Sequence, residues 1–94
     1  MLNEKELKLL VAPILKRRLS RAGLEAFTIQ SGEDHDGDPA LFIVARFRPT
    51  AAEFDGASLL DSIREIREEL RRRGDPRLPY VRYQTADQPH EVIG

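Results

Sequence analysis

The strongest strand pattern in the chain is residues 40–48, Ala-Leu-Phe-Ile-Val-Ala-Arg-Phe-Arg. Successive side chains of a strand point to opposite faces of its sheet. Leu41 and Ile43 therefore share one face, while Phe42 and Val44 share the other. Because this half of the strand is apolar on both sides, we expect that both faces are covered or that one of them meets a partner.

Helical and strand patterns on either side of this segment predict an α+β fold. Apolar residues recur at helical spacing over residues 3–22 and again over about 57–73. Residues 24–31 and 78–85 carry β-branched and aromatic side chains that favour strands. The order helix–strand–strand–helix–strand predicts a three-stranded, mostly antiparallel sheet with both helices packed on one face. The simplest arrangement places strand 24–31 between the other two.

The first helix has a recognisable start and one interruption. Asn3 is followed three positions later by Glu6, the spacing of a capping box. Pro13 lacks a backbone N–H, so we expect a kink or a restart of the helix at that position.

Length and charge limit the classes of protein to consider. The 94 residues suffice for one small domain, which we expect over residues 1–87, followed by a flexible tail over 88–94. Fifteen basic and 16 acidic side chains give a net charge of −1, which argues against a globally basic nucleic-acid binder. Cysteine is absent, which excludes disulfides and thiolate zinc sites. Without a spanning apolar run or a signal-peptide pattern, the sequence predicts a cytoplasmic protein.

The segment Asp34-His35-Asp36-Gly37-Asp38-Pro39 has three interpretations. Asp-Gly is common in tight turns, where aspartate side chains bond to their own backbone. Alternatively, Asp34, Asp36 and Asp38 offer oxygen ligands to a hard cation, and His35 adds an imidazole for a transition metal. The segment departs from the EF-hand pattern at its glycine and glutamate positions. The third interpretation is an acidic loop that binds a basic partner.

Evidence for catalysis is confined to the same loop. His35, flanked by carboxylates, is a candidate general base because histidine titrates near neutrality. No serine lies in a nucleophile-elbow pattern, and no glycine-rich phosphate loop is present. The sequence therefore favours a protein that is not an enzyme and needs no cofactor.

A set of arginines, with tyrosines near the last of them, indicates nucleic acid as an alternative ligand. Arginines and aromatic side chains on a small sheet are typical of several RNA-binding modules. Such binding falls steeply with salt, whereas association through an apolar sheet face survives it. The arginines of this set are Arg46, Arg48, Arg71, Arg72, Arg73, Arg77 and Arg82.

Two stretches together resemble a family of small, uncharacterised bacterial proteins. They are the Asp-His-Asp-Gly-Asp-Pro loop and the later stretch Gly-Asp-Pro-Arg-Leu-Pro-Tyr-Val-Arg-Tyr, and the resemblance covers roughly residues 32–85. It implies no activity and no catalytic residue. The element order is also similar to that of ribosome-binding-factor-like RNA domains. The G-x-x-G loop of the related KH modules is absent from this chain.

Taken together, these patterns predict a small interaction module or accessory subunit that forms a homodimer or binds another protein. The alternatives are an RNA-associated module that uses the arginines, and a metal-dependent activity at the acidic loop. The residues predicted to bind the partner are Phe42, Val44, Tyr80, Tyr83, Asp34, Asp36 and Asp38.

Overall fold

The predicted order of elements is confirmed. The computed structural model describes residues 1–21, 23–48 and 56–85, and the predicted tail at 88–94 lies outside them. The chain forms α1 (Glu4–Leu19), β1 (Leu24–Glu33), β2 (Pro39–Phe47), α2 (Gly56–Arg72) and β3 (Leu78–Thr85).

The three strands form a mixed sheet in the order β1-β2-β3. β1 pairs antiparallel with β2, so that Ile29 lies opposite Ile43, and β2 pairs parallel with β3, so that Ile43 lies opposite Val81. The expected strand order was wrong, because β2 and not β1 is central. The central position brings the most apolar strand under the helices, and the α2 crossover returns the chain beside β2 in parallel.

Both helices pack on one face of this sheet. The side chains that β2 directs toward them are buried, including Leu41, Ile43 and Phe47. They join a single cluster with buried residues of both helices. The helical members of this core are Leu7, Leu10, Val11, Ile14, Leu15 and Leu19 from α1, with Ile66 and Leu70 from α2. We call the other face of the sheet, which carries Phe42, Val44, Tyr80 and Arg82, the open face, and no described helix lies on it.

The first helix begins with the predicted capping box and continues through its proline. The Asn3 side chain accepts from the Glu6 N–H at 2.8 Å, and the Glu6 carboxylate accepts from the Asn3 N–H at 2.9 Å. α1 does not restart at Pro13. Pro13 is exposed, and so is Leu9, whose carbonyl loses its helical partner. Water can hydrate that carbonyl, which explains why the helix tolerates the proline.

Candidate functional site

The main feature of the open face is an aromatic pair on adjacent strands. Phe42 of β2 lies beside Tyr80 of β3, with ring centroids 5.7 Å apart and ring planes inclined by 19°. The two residues remain 37% and 43% exposed, respectively. Gly32 makes room for the phenylalanine, since a Cβ at this glycine would lie 3.1 Å from the Phe42 Cε2. An exposed aromatic pair of this kind offers a large apolar surface to a ligand.

A groove of about 500 Å³ runs past this pair. Val44, Arg82 and His35 are among the residues that line it. A smaller depression of about 300 Å³ continues along the face past Val44 to Arg46. The apolar centre of the open face is therefore continuous with a basic end.

The acidic loop forms the opposite end and is built as a tight hairpin turn. The Asp34 N–H donates to the Asp38 carbonyl, and the Gly37 N–H donates to the Asp34 carbonyl, each at 3.0 Å. Gly37 has a φ of +81°, as a three-residue hairpin loop requires. Asp34 Oδ1 also accepts from the N–H groups of Asp36 and Asp38, at 2.9 and 3.0 Å. The predicted turn is therefore present, and the aspartate that closes it bonds to its own backbone.

The same aspartate connects the turn to the aromatic pair. The Tyr80 hydroxyl donates to Asp34 Oδ2 at 3.0 Å. The backbone hydrogen bond from Asp38, assisted by those from Tyr80 and Asp36, lowers the pKa of the Asp34 carboxyl. The hydrogen bond to Asp34 raises the pKa of the Tyr80 phenol. Both shifts favour the same state, a neutral phenol donating to a carboxylate, so the acidic turn is fastened beside the open face at neutral pH.

The predicted metal-binding residues are only partly brought together. One oxygen from each of Asp34, Asp36 and Asp38 lies within 4.8 Å of the others. Both oxygens of Asp34 already accept hydrogen bonds from the turn and from Tyr80. His35 lines the groove beside Phe42 and is not a member of this cluster. Turn formation accounts for the arrangement, and cation binding stays a prediction.

The seven arginines do not form one surface. Arg46 and Arg82 are exposed on the open face, on neighbouring strands. Arg48 is exposed just beyond β2. Arg71, Arg72 and Arg73 lie in the helical layer at the end of α2, where Glu69 pairs with the last two at 3.6 and 3.8 Å.

Arg77, one of the arginines predicted to bind nucleic acid, is buried, so its guanidinium does not face a ligand. Its guanidinium pairs with Asp75, with the shortest N–O distance at 2.6 Å. It also donates to the Ser31 hydroxyl at 3.0 Å and to the Leu2 carbonyl at 2.7 Å, while the Leu2 N–H donates to Asp75 at 3.0 Å. The hydrogen bond from Arg77 lowers the pKa of Asp75 to about 2. This pair therefore fastens the start of the chain to the turn before β3.

Asp75 is the important residue that the sequence analysis missed. It lies between Gly74 and Pro76 at the end of a helix, a pattern that the sequence explains by the turn alone. A signal was available in the pair itself, since Asp75 and Arg77 stand two residues apart in a turn, where the side chain of the first can accept from the backbone of the second.

Tyr83 does not belong to the open face. It lies three positions after Tyr80, so strand alternation directs the two rings to opposite sides of the sheet. The Tyr83 ring contacts Phe47 edge to face on the helical side, with centroids 5.8 Å apart and planes inclined by 71°. Of the predicted partner-binding residues, Phe42, Val44 and Tyr80 share the open face, and the acidic turn borders it.

Comparison with known proteins adds no assignment. No protein-family model matches the chain, and neither a curated protein nor a solved structure is significantly similar to it. The resemblance to small bacterial proteins with the Asp-His-Asp-Gly-Asp-Pro loop therefore stays a prediction. Neither of the two described helices combines the length and the apolar character needed to cross a membrane.

Proposed function

We propose that this protein is a non-enzymatic, cytoplasmic association module that binds another protein chain through the open face. The observation that carries the proposal is the exposed stack of Phe42 on Tyr80, beside the groove that Val44 lines. Aromatic side chains in such central positions supply much of the binding energy of protein interfaces. The helices bury the other side of the same strands, so β2 has an apolar surface on both sides of the sheet.

The charges around the aromatic pair favour a protein over a nucleic acid. The Asp34 carboxylate touches Tyr80, and Asp36 and Asp38 stand in the same turn. A phosphate backbone laid along the face would meet these carboxylates at one end. Among the seven arginines, Arg46 and Arg82 line the open face. A protein surface with both signs of charge fits this distribution better than a polyanion does.

The proposal is tested by comparing which proteins the full chain retains from a nuclease-treated extract of its source cells. The test variant is Phe42→Asp, which places a charge in the centre of the open face. The matched control is Leu9→Asp, because Leu9 is 68% exposed on α1, in the helical layer. We expect the wild type and the control to retain the same protein chains, copies of this chain included, and the test variant to lose them. Circular dichroism should show that all three are folded.

Two results would contradict the proposal. One is retention of the same proteins by Phe42→Asp at wild-type strength. The other is tight binding of a labelled oligouridylate that weakens steeply as salt is added, which would favour the RNA alternative.

A further inference from the structure

We infer that the occupant of the open face is a second copy of this chain, packed face to face with its strands running in the opposite direction. The inference rests on the proposed function, since it needs the open face to be a binding surface. It follows from how the charges are arranged along β2 and β3.

The turn that borders the open face gives it an acidic end, Asp36 and Asp38 beside Asp34, and Arg46 and Arg82 form a basic end on the face itself. Arg46 lies four positions after Phe42 in β2, about 13 Å away at the rise of a strand, while Asp38 precedes β2 in the turn. The aromatic pair thus lies between the acidic turn, whose Asp34 carboxylate accepts from Tyr80, and the basic end, whose Arg82 follows Tyr80 by two positions. Neither guanidinium of the basic end forms an ion pair within residues 1–21, 23–48 and 56–85, and neither carboxylate of the acidic end does.

A two-fold axis that packs one open face on another lies in the plane of the interface, and we compare the two arrangements that keep the strands of the two sheets aligned. With the axis along the strands, each end meets its own copy, so carboxylates face carboxylates and guanidiniums face guanidiniums. With the axis across the strands at Phe42, the acidic end of each copy meets the basic end of the other. Like charges in contact are unfavourable and opposite charges are favourable, so the charges select the second arrangement.

The second arrangement also stacks the aromatic pairs at the centre of the interface. Phe42 and Tyr80 of the two copies meet near the axis, where water is excluded, and Asp36, Asp38 and Arg46 lie toward the rim. Three strands and nine residues of β2 give a face of about 14 by 30 Å. This is smaller than the roughly 800 Å² per partner of a typical stable interface, so we expect a weak, reversible dimer.

Sedimentation equilibrium of the full chain provides the test. The wild type is expected to change from 10.7 kDa to twice that mass as its concentration rises from micromolar to millimolar. Phe42→Asp is expected to weaken the dimer at least about thirtyfold, as the loss of a central anchor does.

Charge reversal then tests the direction of packing. One variant carries Arg46→Glu with Arg82→Glu, and the other carries Asp36→Lys with Asp38→Lys. Each alone is expected to dimerise about tenfold more weakly than the wild type, because both of its end contacts become repulsive. An equimolar mixture of the two is expected to form a heterodimer, since every end contact is then between opposite charges. The control is Arg71→Glu with Arg72→Glu on α2, which should leave the wild-type affinity unchanged.

Each contrary result overturns a different step. If the wild type stays monomeric at millimolar concentration, the occupant of the open face is not a second copy. In that case, loss of extract proteins in Phe42→Asp would still support the proposed function. A dimer unaffected by Phe42→Asp places the interface elsewhere. Single reversals that dimerise as well as the wild type overturn the antiparallel packing, because only that packing sets acidic ends against basic ends.

Discussion

Replacing Asp75 with asparagine tests whether the buried ion pair holds the start of the chain to the sheet. Asp75 is fully buried and Arg77 is 7% exposed. The substitution keeps the shape of the side chain and removes its charge, so the guanidinium stays buried without a counterion. Breaking a buried pair in this way costs about 3–5 kcal/mol. Arg77 keeps its hydrogen bonds to Ser31 and Leu2, so we expect a loss near the lower limit, about 3 kcal/mol.

The pH dependence of the wild type gives a second measure of the same interaction. The pKa of Asp75 falls from 3.8 to about 2 on folding. Each tenfold change in proton affinity is worth about 1.4 kcal/mol, so the ionised carboxylate contributes about 2 kcal/mol. Because the pKa is lowered in the folded state, this stability is fully present above about pH 4 and is lost as the pH falls toward 2.

Urea unfolding followed by circular dichroism checks both magnitudes. At neutral pH the variant should lose about 3 kcal/mol of unfolding free energy, which is a large share of the 5–15 kcal/mol typical of a domain. The difference in unfolding free energy between wild type and variant should narrow as the pH approaches 2. Asp61→Asn is the control, because Asp61 is 48% exposed and its ion-pair distances are 3.9 Å, and it should change stability much less. If wild type and variant have the same unfolding free energy at neutral pH, or if their difference stays constant down to pH 2, the ion pair does not stabilise the fold in this way.

Three further substitutions test the hairpin and the aromatic pair. Gly37→Ala should lower the unfolding free energy by about 1 kcal/mol, because its φ of +81° is strained for alanine. The control Gly56→Ala has open space and should not be destabilising, and urea unfolding measures both variants. In an ultraviolet absorbance titration, the pKa of the Tyr80 phenol should lie above its usual value, and Asp34→Asn should return that pKa toward the usual value. Gly32→Val should displace the stacked phenylalanine ring, seen as a change in its proton chemical shifts without loss of helix signal; unchanged shifts would contradict the packing.

The hairpin was predictable from sequence because its signals are local. An Asp-Gly turn between two apolar strands favours only a few geometries, and Asp34 can close such a turn with its own side chain. The same holds for the capping box of Asn3 and Glu6. In both cases the partners stand within four residues of each other, so no knowledge of the tertiary fold is needed.

The buried pair and the strand order were not predictable in this way. The partners of Arg77 include Leu2 and Ser31, which are 75 and 46 positions away in sequence. Their contact depends on where α1 begins relative to the sheet, and composition does not specify that. Tyr83 is a different case, since its separation from Tyr80 by three positions was enough to place the two rings on opposite faces.

The order of the strands is what creates the candidate site. Had β1 been central, β2 and β3 would lie about 10 Å apart, and Phe42 would not reach Tyr80. With β2 central, the parallel register sets these two residues directly opposite each other. The crossover through α2 therefore builds the aromatic pair, and the β1–β2 turn adds the carboxylate that bonds to it. The site combines one local element with one long-range pairing, which is why the acidic turn could be foreseen and its contact with Tyr80 could not.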